Sequence, residues 1–154
     1  MKQRSIFLNI ALISLVIIVC IIVVYLLSTS LYILKNKENP YYSIEKDKIP
    51  SIYKVNGKRN LYYYRSYKKD NNKIKVFKYK NISDVKSDLT NYINELRDNY
   101  NYKYTSDVDL NNDDSFELSN NSSESDQIII INIKYTDSSY TIKITKGPGD
   151  IKIY

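Results

Sequence analysis

Residues 83–100 read SDVKSDLTNYINELRDNY, and this stretch decides the fold class. Val85, Leu89, Tyr92, Ile93, Leu96 and Tyr100 recur at helical spacing, while Lys86, Asn91, Asn94, Glu95, Arg97 and Asp98 fill the opposite side. Apolar groups that return every three or four residues line one stripe of a 3.6-residue helix, so the segment predicts an amphipathic helix laid on another layer. Ser83 is placed as its N-cap, and Asp84 and Asp88 suit the positive end of the helix dipole.

Outward from the helix the period changes to two. Downstream, Tyr102, Tyr104, Ser106, Val108 and Leu110 alternate with Lys103, Thr105, Asp107 and Asp109, and Phe116 and Leu118 continue in a short partner strand. Residues 128–135 open with four consecutive Ile, the pattern of a central strand covered on both faces. Asp137-Ser138-Ser139 then turns the chain into Tyr140, Ile142 and Ile144 alternating with Thr141, Lys143 and Thr145, and Gly147-Pro148-Gly149 ends that strand. Upstream, residues 51–55 and 58–64 flank Asn56-Gly57, a pair suited to the positive φ values of a type I′ turn, which predicts a hairpin. Residues 70–72 mark the next reversal. Residues 73–80 form a strand with Ile74 and Val76 on one face and Phe77 and Tyr79 on the other, which calls for partial cover of both faces or a bulge near Val76. Strands, helix, strands is the order of an α+β domain: a small antiparallel sheet with one amphipathic helix packed on a face.

Farther towards the N-terminus, residues 5–34 carry no charge, and residues 10–27 are apolar at every position except Ser14. Roughly 20 such residues cover the ~30 Å hydrocarbon core, and Tyr25 and Tyr32 fall where aromatic rings collect at the far interface. A cleaved signal peptide has a shorter apolar region and a small-residue cleavage site, whereas this run ends in Ser28-Thr29-Ser30. Cys20 follows Ile17, Ile18 and Val19 rather than the small residue of an acylation signal, so it reads as a small hydrophobe. The expected layout is a basic tail at 1–5, a transmembrane helix at 6–34, a polar juxtamembrane linker at 35–49 broken by Pro40 and Pro50, and the α+β domain at 50–154. The lysines after the span outnumber Lys2 and Arg4 before it, which by simple count keeps the C-terminus in the cytoplasm. Long domains cross largely regardless of charge, however, and a short basic head before an apolar run is how uncleaved export anchors begin. The expectation is a single-pass protein of the cell membrane with its C-terminal domain extracytoplasmic.

Composition narrows the chemistry. The 154 residues include no His and one Cys, which removes Ser-His and Cys-His nucleophile pairs and the common transition-metal sites. Ser83 and Lys86 share the Ser-x-x-Lys spacing of penicillin-recognising enzymes, but the further motifs of those enzymes are missing and a serine before a helix is first of all a cap. Asp107, Asp109 and Asp113 are the candidate calcium ligands, in a stretch with Asn112 at the sixth position of a calcium loop and Leu118 at the twelfth, where Gly and a bidentate Glu belong. No metal and no cofactor is therefore expected. The turn at 147–150 does not lead into a helix and is no phosphate cradle.

Charge is the remaining signal. The chain carries 23 Lys or Arg against 17 Asp or Glu. Residues 50–104 hold 13 bases and 5 acids, and residues 105–133 hold 7 acids and no base. The basic meander offers Lys58, Arg59, Arg65, Lys68, Lys69, Lys75 and Lys78 as contacts to an anionic surface, whether lipid headgroups or wall polymers, unless the acidic stretch folds back and neutralises them. Tyr62, Tyr63, Tyr64 and Tyr67 interleave with these bases as in single-strand nucleic-acid platforms, but Tyr occurs 17 times along the chain and the anchor keeps the domain at a membrane, so nucleic acid is not the expected partner. The functional expectation is a non-enzymatic membrane protein whose small α+β domain binds a protein partner or the envelope surface. The alternative is a membrane-tethered hydrolase built on carboxylates.

Overall fold

The computed structural model describes residues 2–105, 109–110 and 114–149. Asp107 and Asp113, two of the three calcium candidates, lie outside them. The chain begins with one helix, α1 (Lys2–Asn36), whose Leu12–Leu34 portion is long and apolar enough to cross a membrane and is not buried by the rest of the protein. At 1.5 Å per residue, its 35 residues extend about 52 Å, some 20 Å beyond a hydrocarbon core. The anchor therefore continues as helix into the folded domain.

That domain is α+β, as its sequence period predicts. A two-stranded hairpin, β1 (Tyr41–Ile44) and β2 (Asp47–Pro50), is followed by the short helix α2 (Ile52–Asn56). The strands β3 (Leu61–Lys69) and β4 (Asn72–Lys80) lead to α3 (Val85–Tyr100). After it come β5 (Lys103–Tyr104), β6 (Ser115–Asn121), β7 (Gln127–Thr136) and β8 (Ser139–Pro148). The main sheet has the order β3-β4-β8-β7-β6-β5, with every pair antiparallel. The last strand thus pairs with the end of the first meander, and α3 carries the chain across to the far edge.

The apolar stripe of α3 is buried as expected: Val85, Leu89, Tyr92, Ile93 and Leu96 join Phe77, Tyr79, Phe116, Leu118, Ile131, Ile133, Ile142 and Ile144 in one core. Its cap differs. Asp84, not Ser83, accepts from the Ser87 N–H at 2.9 Å, and Asn101 takes the left-handed conformation that closes the far end. The reversal at Asp70-Asn71 is a tight β3–β4 turn with both residues at positive φ.

Three expectations are corrected. Residues 35–49 are not a linker: residues 41–50 form the β1–β2 hairpin, which buries Tyr42, Ile44 and Ile49 in the core. Tyr42 packs on Phe77 with ring centroids 4.2 Å apart and shares a 2.6 Å hydrogen bond with the Tyr79 hydroxyl. The folded unit therefore starts before Pro50. Residues 51–55 are not a strand, and Asn56-Gly57 is not a hairpin turn. Ser51 caps α2 by accepting from the Lys54 N–H, and Gly57, at φ 71°, ends the helix by donating its N–H to the Tyr53 carbonyl. A positive-φ residue after a polar one serves a helix end as well as a type I′ turn. Finally, the Ile run is not covered on both faces. Ile129, Ile131 and Ile133 are buried, whereas Ile128 and Ile130 are only half-buried, because the helix, the hairpin and α2 all lie on one side of the sheet. The β3–β4 irregularity falls between Leu61 and Tyr63 rather than near Val76, and β4 has cover on both faces, with Ile74 buried opposite Phe77 and Tyr79.

Candidate functional site

The face of the sheet opposite α3, open except around the buried Ile74 and Ser119, is built by strand alternation. Residues in register across five strands form rows: Tyr63, Lys78, Thr141, Lys134 and Ser115; then Arg65, Val76, Lys143, Asn132 and Glu117; then Tyr67, Ile74, Thr145, Ile130 and Ser119. Lys78, Lys134 and Lys143 occupy its middle, Arg65 stands on its β3 edge, and Lys69, Lys80 and Lys103 lie at its other margins. Glu117 is the single carboxylate that the strands place among them. Strands lie ~4.8 Å apart, so Lys78 and Lys134, and likewise Arg65 and Lys143, stand roughly 10 Å from each other in adjacent rows. Thr141, Thr145, Asn132 and Ser115 supply neutral hydrogen-bonding groups between the cations. Lys78 lies over the Tyr63 ring and Arg65 over the Tyr67 ring, each 5.0 Å from the centroid, which holds two of the charges against the sheet.

The seven bases proposed from the sequence do not form one patch. Arg65, Lys69 and Lys78 reach the open face. Lys68 and Lys75 point to the other side, where Lys75 donates to the Ser43 carbonyl. Lys58 pairs with Glu38 at 2.7 Å. Arg59 is withdrawn altogether: its guanidinium grips the buried carboxylate of Asp88 with two 2.6 Å hydrogen bonds, and the Tyr140 hydroxyl donates to the same group. That bidentate pair pushes Arg59 above its ordinary value. Among the described residues, Glu38, Asp88 and Glu45 thus pair with the meander bases Lys58, Arg59 and Lys73. Lys134 and Lys143, which complete the open face, come from the C-terminal strands and were missed. Their signal was present in the alternation of Lys143 with Ile142 and Ile144.

A second charged cluster lies inside. Lys146 is fully buried at the end of the core-facing row of β8. Its ammonium donates to Asp47 at 2.6 Å and to Glu124, and lies 3.2 Å from Glu45. Asp47 also accepts from the Ser122 hydroxyl and the Ser123 N–H. Burial would raise the Asp47 pKa, but these donors outweigh it and hold the carboxyl down at about 2. Burial likewise disfavours charge on Lys146, yet Asp47 and Glu124 keep it above its ordinary value. The cluster joins the β1–β2 turn, the loop after β6 and the end of β8. Its carboxylates are engaged by an internal cation, and among the described residues no group of three His, Cys, Asp or Glu side chains is arranged to hold a metal ion. Ser83 and Lys86 border a shallow depression of about 210 Å³ with Tyr135, Thr136 and Asp137.

Neither family models, nor curated proteins, nor solved structures show a match to this chain.

Proposed function

We propose that the protein is a non-catalytic, membrane-tethered binding domain that stands on the extracytoplasmic side and takes an anionic envelope partner on the open face of its sheet. The observation that carries this reading is the row structure of that face, where Arg65, Lys78, Lys134 and Lys143 alternate with hydroxyl and amide groups and, among the described strand residues, share the face with one carboxylate, Glu117. Complementary charge steers encounter and sets specificity, and short neutral side chains leave room for an extended chain to lie across the strands. The carboxylate hydrolase is the less supported alternative, because Glu45, Asp47 and Glu124 converge on Lys146 instead of on an open cavity.

The test uses the full-length protein in phosphatidylcholine nanodiscs, applied to immobilised polyphosphate and eluted with salt. Wild type should elute at clearly higher salt than Lys134→Gln/Lys143→Gln. Identical elution would remove the open face from the reading. Protease added to intact cells should remove a C-terminal tag, and protection of that tag would put the domain in the cytoplasm.

A further inference from the structure

We infer that the groove between α1 and β3 is a binding site for the headgroup of one anionic phospholipid. This rests on the membrane reading of α1 and not on the open-face reading. The groove, about 470 Å³, is lined from the helix by Tyr25, Ser28, Thr29 and Tyr32 and from the sheet by Tyr64, Arg65, Ser66 and Tyr67. The Tyr32 and Tyr64 rings stack at 3.5 Å with an interplanar angle of 8°, and Tyr64 in turn meets Phe77 of the core, so the wall positions are locked to each other.

Depth follows from length and charge. Residues 5–34 carry no charge, so the span begins after Arg4 in the sequence. Roughly 20 residues then cross the hydrocarbon, which brings the chain out near Tyr25, the aromatic position suited to the opposite interface. Sliding the span towards Leu34 would drag Arg65 and the adjoining strand into hydrocarbon, which costs a few kcal/mol for the charge alone. Ser28, Thr29, Arg65 and Tyr67 consequently lie at the level of lipid phosphates.

The chemistry of the groove fits an anion. The Ser28 and Thr29 hydroxyls donate to the Val24 and Tyr25 carbonyls, so the charge-assisted donor in the groove is the Arg65 guanidinium, an arginine suited to a phosphate fork. Among the described residues Arg65 makes no salt bridge, and the Tyr67 ring supports its far side. β3 is also the end strand of the sheet, with no strand paired to its outer edge among the described residues. An adjoining depression that shares Ser66 and Tyr67 is lined by Lys68, Lys73 and Lys75, and its one acid, Glu45, is engaged by Lys73 and Lys146. That excess of cations selects an anionic headgroup over a zwitterionic one.

Native mass spectrometry of the full-length protein, released from mild detergent with added phosphatidylglycerol or phosphatidylcholine, provides the test. One phosphatidylglycerol per protein should be retained, at least fivefold above phosphatidylcholine. Arg65→Gln and the groove-filling Thr29→Phe should each lower that retention at least fivefold, and Lys86→Gln, a charge change on α3, should not. Thr29 lies away from the open face, so Thr29→Phe leaves polyphosphate elution as it was and separates this inference from the open-face reading. Equal retention of the two lipids, or wild-type retention in either groove variant, would overturn it.

Discussion

Lys143 and Lys146 lie three residues apart on one strand and meet opposite surroundings. Lys143 stands on the open face between Val76 and Asn132, half in water. Lys146, in phase with Tyr140, Ile142 and Ile144, is wholly buried and neutralised by Asp47, Glu124 and Glu45. The period-two geometry of a strand assigns the same residue type to a structural role on one face and leaves it available to a partner on the other. The two faces of this sheet should therefore respond very differently to substitution.

The largest effect is expected from removing the hairpin that covers the inner face. Without residues 37–48, Tyr42, Ile44, Glu45 and Asp47 are lost together, which uncovers Phe77 and Tyr79 and leaves Lys146 with Glu124 alone of its three carboxylates. A soluble fragment beginning at Lys37 should show one cooperative denaturant transition, and a fragment beginning at Ile49 should show none. If both unfolded alike, the hairpin would be an ornament on the domain rather than part of its core. Next in size is Leu89→Asp, which puts an unpaired charge at a fully buried position on α3 and should destabilise the domain by roughly 4 kcal/mol in chemical denaturation.

That helix face was readable because six apolar residues repeat over four turns. The membrane helix and the turn at 70–71 were equally plain, one from length and the other from residue chemistry. The hairpin was hidden because its strands are four residues each, carry Glu45, Lys46 and Asp47 at their turn, and lie between two prolines that also mark linkers. The open face was only partly readable. Counting charge by segment groups residues that are neighbours in sequence, whereas the rows join β3 and β4 to β8 and β7, and that pairing depends on a crossover that no local signal specifies. Lys146 had a signal that segment counting passes over, since its phase matched the core residues before it.

A smaller and graded effect is expected from acid. Asp47 titrates at about 2 in the fold against an ordinary 3.8, so its contribution is fully present above pH 4 and is lost as pH falls towards 2. Glu124 is lowered as well, chiefly by its bond to Lys146, and adds in the same direction. Lys146 has the opposite sign: held above its ordinary 10.5, it stabilises at neutral pH and loses that contribution only as pH rises past its folded value. The domain should thus lose about 2 kcal/mol between pH 4 and 2 through Asp47, and Asp47→Asn should flatten that part of a stability profile measured by denaturant titration. A variant as acid-sensitive as wild type would show that the cluster is not what couples the hairpin to β8.

The smallest effect on stability belongs to the open face, and its smallness is informative. Lys134 and Lys143 sit in rows with Thr141, Asn132 and Val76 and make no salt bridge among the described residues. Replacing both with Gln keeps most of the side-chain length that rests on the sheet and removes mutual repulsion, repulsion from Lys78 at roughly 10 Å and attraction to Glu117 at a like distance, all of which salt screens over about 8 Å at physiological ionic strength. The melting temperature of the reconstituted protein should therefore move by no more than about 2 °C, in either direction, corresponding to less than about 0.5 kcal/mol. A surface kept basic without any return in stability is one whose charges are free to answer to something outside the chain. If the double variant instead lost several degrees, those lysines would be structural after all, bound into contacts along the strands, and the contrast between Lys143 and Lys146 would shrink to a difference in burial alone.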